Sequence, residues 1–162
     1  MKKLVLLLVI AAVCSFISNV AYVPCRIVDI KLCDYLVAEN DREIIIVTHG
    51  SRDGRIVRLD GKEERQPQKY FKEVAADYGC ADKEIRYFSC FTVRQQKGEA
   101  KPVISHNDVG FVVPTPNGVF FFTTRKEEYR KNLVRVVMST VTNQFGLDSK
   151  EAKLVGRLFA RS

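Results

Sequence analysis

EIIIVTHGS at residues 43–51 and EIRYFSCF at residues 84–91 decide how this chain is read. Each is an apolar run that ends in a reactive side chain, His49 in the first and Cys90 in the second. A short apolar, β-branched run bounded by polar residues predicts a buried strand of a parallel sheet. The residues between the two runs are numerous enough for a crossover. In open parallel sheets the carboxyl ends of the strands line the ligand crevice. Two such strands put an imidazole and a thiol on one edge, where a nucleophile and its base meet.

Working outward, Asp53-Gly54 opens a hairpin and Asp60-Gly61 is a second turn signal. Pro67 suits the first turn of a helix, Tyr70, Phe71, Val74, Ala75 and Tyr78 follow at helical spacing, and Gly79 is a stop signal. The charged stretch RQQKGEAK at residues 94–101 predicts a mobile loop, and residues 103–105 a short strand. Residues 109–113 and 119–123 flank Asn117-Gly118, a hairpin signal, and three consecutive phenylalanines (120–122) predict a strand covered on both faces. Thr124 with Glu127 reads as a capping box before a helix carrying Leu133, Val136, Val137 and Val141. Asp148 with Glu151 repeats that signature before a last helix carrying Leu154, Val155, Leu158 and Phe159. Upstream, residues 22–36 alternate only loosely and fit a strand or a short helix after Pro24, and residues 39–42 form a polar turn. The expected fold class is α/β: a mainly parallel central sheet flanked by helices, with a C-terminal β-hairpin and two terminal helices.

The chain of 162 residues is long enough for one domain with a sizeable core. Lys2 and Lys3 precede ten consecutive apolar residues, 4–13, and small and polar residues follow, a secretory signal pattern. Residues 1–21 are therefore read as a signal peptide or an N-terminal membrane anchor, and 22–162 as a single domain that is secreted, periplasmic or membrane-anchored. The formal charge of +7 carries no basic stripe interleaved with aromatics, so no nucleic-acid partner is expected. Without Cys14, four cysteines remain: Cys25, Cys33, Cys80 and Cys90. An even number in an exported chain invites two disulfides, and a disulfide through Cys90 ends its use as a nucleophile.

The pieces THGSRDGRIVRLDG (residues 48–61) and YFSCF (residues 87–91) resemble the caspase-like fold of cysteine peptidases, which includes the caspases, metacaspases and CHAT-type domains. In that family a strand ends in His-Gly, a hairpin and a helix follow, and the next strand ends in Ser-Cys or Ala-Cys. The resemblance covers about residues 43–93. It implies Cys90 as nucleophile, His49 as general base or acid, and the backbone N–H groups of Gly50 and Cys90 as an oxyanion hole. It implies a peptide or protein substrate hydrolysed by a Cys–His dyad, without cofactor or metal. Phe91-Thr92-Val93 departs from the small residue and glycine that many members carry after the cysteine.

Two other readings stand beside it. His49-Gly-Ser-Arg-Asp53 also resembles a motif of small cobalt and nickel chelatases of tetrapyrrole synthesis, where the histidine helps bind metal. That reading requires His49 and His106 to converge, since neutral imidazoles are the ligands. A non-catalytic exported binding or structural domain, an inactive relative, leaves Cys90 buried or disulfide-bonded.

Overall fold

The computed structural model describes residues 17–124. In chain order the elements are β1 (Ile17–Pro24), β2 (Arg26–Lys31), β3 (Tyr35–Glu39), β4 (Glu43–Val47), β5 (Ile56–Val57), β6 (Glu63–Glu64), helix α1 (Pro67–Asp77), β7 (Glu84–Phe88), β8 (Lys101–Pro102), β9 (Gly110–Thr115) and β10 (Gly118–Thr124). A single 3-10 turn spans Thr92–Arg94.

Alternation along β4 sets the layers. Ile44 and Ile46 join Val37, Ile85 and Tyr87 on one face of the central sheet, and Tyr70, Phe71, Val74 and Ala75 of α1 cover that face. Ile45 and Val47 join Leu36, Ala38 and Phe88 on the other face, under Val119 and Phe121 of β10. Ile44, Ile45 and Ile46 are all fully buried, each side chain worth about 1.5–3 kcal/mol of transfer free energy. The result is three layers: α1, then a five-stranded sheet in the order β2-β3-β4-β7-β8, then a three-stranded sheet in the order β1-β10-β9.

The helix follows from its sequence. Pro67 occupies the first turn, where its missing N–H costs nothing. Gly79 ends the helix at φ 70°. Cys80 N–H donates to Ala75 O at 2.8 Å and Gly79 N–H to Ala76 O at 3.0 Å, the paired bonds of a Schellman stop.

The α/β expectation of a mainly parallel, caspase-like sheet flanked by helices does not hold. The described residues are mostly strand, with one α-helix, and the sheets are mixed and antiparallel. Only β4, β7 and β8 run parallel. β2, β3 and β4 are antiparallel neighbours, and the second sheet is antiparallel throughout. The physical reason is that an apolar run fixes burial and not direction; direction is set by the connection, and tight turns at residues 32–34 and 40–42 force reversal. The hairpin at residues 109–123 forms, but as the middle and edge of the second sheet, with Pro116 and Asn117 at its turn and Gly118 already paired to Thr115. The two terminal helices lie outside the described residues, as do residues 1–16 of the N-terminal segment. Residues 17–21, read with that segment, are in β1 and pair with β10. Among the described residues no helix is long and apolar enough to cross a membrane.

Candidate functional site

β4 and β7 pair in parallel from Glu43↔Glu84 to Val47↔Phe88, and Thr48 N–H extends the ladder to Phe88 O at 3.1 Å. The two chains therefore leave the sheet side by side, one into His49 and the other into Ser89 and Cys90. Because β3 is antiparallel, its first residues lie at the same edge, with Leu36 opposite Val47. That brings the β2–β3 turn, with Cys33 at φ 73°, over the ends of β4 and β7. His49, Cys33, Ser89, Cys90 and Gly110 line one cavity of about 110 Å³ between the two sheets.

Within it, His49 is half-buried and its Nε2 lies 2.6 Å from the carbonyl oxygen of Cys33. A carbonyl only accepts, so Nε2 is the donor, and in the neutral ring that leaves the lone pair on Nδ1. Cys90 is buried, 5% exposed, with Sγ 3.8 Å from Gly110 O. Gly50 abuts Cys90: a Cβ at position 50 would stand 2.3 Å from the Cys90 carbonyl oxygen. Val57 N–H donates to His49 O and Ser51 N–H to Arg55 O, each at 2.9 Å. These bonds from its neighbours leave the Gly50 N–H outside the small β5 ladder.

Directly after Cys90 the backbone turns sharply. Phe91 adopts φ 57° and ψ 42°, a left-handed conformation that costs a non-glycine residue about 1–2 kcal/mol. Two bonds hold it there, Phe91 N–H to Asp108 O and Arg94 N–H to Phe91 O, both 2.9 Å. Among the described residues Cys33 and Phe91 are the non-glycine residues with positive φ; Cys33 lines the cavity and Phe91 directly follows Cys90, which lines it too, and backbone strain of this kind clusters at functional sites. Gln95, buried, donates from Nε2 to Ser89 Oγ, and lies 3.5 Å from Cys90 O.

Of the residues singled out from sequence, His49, Gly50 and Cys90 come together, and His106 does not join them. Its ring is buried and stacked on Phe88 at 5.3 Å. Nδ1 is 3.0 Å from Ile104 O and 3.2 Å from Thr92 Oγ1. Burial holds its pKa below the ordinary histidine value, so it is a neutral structural side chain near neutral pH. Among the described residues no group of three or more His, Cys, Asp or Glu is placed to hold a metal ion. The invited disulfides are not formed there either: Cys25, Cys33, Cys80 and Cys90 all carry thiols. Spacing carries no signature for the contacts of Cys33 and Gln95 at this site, because they are made by a backbone carbonyl and by a loop glutamine.

No family model, no curated protein and no solved structure matches the chain.

Proposed function

We propose that Cys90 is the nucleophile of a thiol-dependent hydrolase acting on peptide bonds, with His49 as its base. One observation carries this reading: the parallel pairing of β4 with β7 delivers His49 and Cys90 to the same sheet edge, where both line one cavity. The chemistry follows from the groups present. The Cys33 carbonyl holds the imidazole with Nε2 protonated, so the proton of the thiol passes to Nδ1. The thiolate attacks the carbonyl carbon, and the Gly50 N–H is the donor available to the oxyanion. His49 then protonates the leaving amine, and water hydrolyses the acyl-enzyme.

A second reading has its own observation. Cys90 is 5% exposed, which suits a binding domain whose thiol is part of the wall. Alkylation separates the two. Cys90 is expected to react with iodoacetamide at pH 7 faster than free cysteine does, and His49→Ala to abolish that advantage. Burial raises the thiol pKa values of Cys25 and Cys80, so both label slowly and serve as internal references. No reaction at Cys90 until the chain is unfolded leaves the binding domain standing and removes the hydrolase.

A further inference from the structure

We infer that the cavity beside Cys90 receives a branched aliphatic group of the compound that Cys90 attacks, an inference that rests on the reading of Cys90 as a nucleophile. The walls are Leu36 and Val47 of the central sheet, Phe88 at the end of β7 and Val112 of β9. Ile30 and Leu32 stand at its rim, 40% and 49% exposed. Among the described residues the charged ones along the lining, Lys31 and Asp34, pair with each other at 2.6 Å. These residues direct no net charge at an ionic substrate, and what a ligand gains on entry is burial of apolar surface. At about 110 Å³ the space is larger than a single water needs and short of the ~150 Å³ of an apolar cavity known to admit benzene. A branched aliphatic group suits that size, and the exposed Ile30 and Leu32 give it an apolar approach.

The step balances without redox chemistry. Cys90 Sγ bonds to the acyl carbon, and the bond from that carbon to the leaving nitrogen or sulfur breaks. The leaving group departs with the proton that His49 took from the thiol. Water then cleaves the thioester and restores the thiol. The aliphatic group belongs either to the side chain of a peptide or to the acyl chain of a small thioester, and the cavity treats the two alike.

The test uses the full chain unaltered, because following the Cys90 peptide by itself separates its label from any on Cys33, whose thiol lines the cavity as well. Cys90 is labelled with isobutyl and with sulfonatoethyl methanethiosulfonate, its peptide is quantified by mass spectrometry, and each rate is divided by that on N-acetylcysteine. The isobutyl reagent is expected to be favoured by about tenfold, the scale on which apolar pockets discriminate. Val112→Phe, at a half-buried position, is expected to fill the space and remove that preference while the sulfonatoethyl rate persists. Equal normalised rates with His49-dependent labelling overturn the inference and leave the hydrolase intact. No labelling of Cys90 by either reagent overturns both. Turnover of isovaleryl N-acetylcysteamine or of a leucyl peptide p-nitroanilide supports the inference and tells the acyl chain from the side chain. Turnover of neither, with no acyl group found on Cys90, overturns it.

Discussion

Gly50 is a glycine for space and not for φ. Its backbone angle is one that any residue adopts, yet a Cβ there would meet the Cys90 carbonyl oxygen at 2.3 Å, and backbone atoms cannot yield as a flexible side chain does. Gly50→Ala is therefore expected to separate the ends of β4 and β7, lowering unfolding free energy by about 1–3 kcal/mol and slowing Cys90 alkylation. Gly61→Ala is the informative comparison. Gly61 has φ 85° and open space around it, so the variant loses about 1 kcal/mol to strain while Cys90 reacts as before. Urea unfolding and the labelling rate of each variant check the pair. Equal loss of labelling in both variants is the outcome that denies Gly50 its part in holding Cys90. Sequence made the convergence of His49 and Cys90 legible because each sits two residues past a strand that a short apolar run predicts. The Cys33 carbonyl was not legible, because any residue type at that turn offers the same oxygen.

The loop after the 3-10 turn is tied to α1 by Gln68 and by an exposed ion pair between Lys72 and Glu99. Gln68 is buried in the first turn of the helix. Its Nε2 donates to Gln96 O and Ala100 O, each at 3.0 Å, and its Oε1 accepts from Ala100 N–H at 2.9 Å. Residues 94–101, expected from their charge and glycine to be mobile, are thereby fastened. Gln68→Ala strands a buried carbonyl and N–H, which costs about 1–3 kcal/mol. Trypsin is expected to cut at Lys97 faster in the variant than in the wild type; an unchanged rate means that other contacts hold the loop. Several elements were readable because local chemistry and fold agree: β4, α1 with its proline and glycine punctuation, β7 and the β9–β10 hairpin. β2 was not, because its register slips between Ile27 and Asp29, and such an irregularity breaks the period-two alternation that identifies a strand. β1 was hidden for another reason: Ala21 and Val23 face the core while Val20 and Tyr22 are exposed, an apolar pattern on both faces that blends into the run before it.

At the scale of the whole molecule the central sheet has two ends with different chemistry. The cavity occupies one, and a charged cluster ties the other. There Glu39, at the end of β3, accepts from Lys83 Nζ at 2.9 Å, from Cys80 Sγ at 3.0 Å and from Arg26 at 2.5 Å. The single carboxylate thus joins the β2 edge to the segment between α1 and β7. These donors, with the Cys80 thiol foremost, lower its pKa to about 2. A carboxylate whose folded pKa lies below its unfolded value contributes stability that is fully present above the unfolded pKa and is lost as the pH falls through the folded one. The window here runs from about pH 4.5 down to about pH 2. Solvent screening at this partly exposed cluster keeps the contribution to about 1 kcal/mol. Glu39→Gln is expected to lower stability by that amount at pH 7 and to show a shallower loss between pH 4.5 and pH 2 than the wild type. The cluster is at the end of the sheet away from Cys90, so the variant's labelling profile near neutral pH is expected to match the wild type's. Urea midpoints from pH 2 to pH 7 alongside Cys90 labelling rates measure both. Parallel stability curves for the two proteins mean that Glu39 is not the group whose protonation weakens the fold.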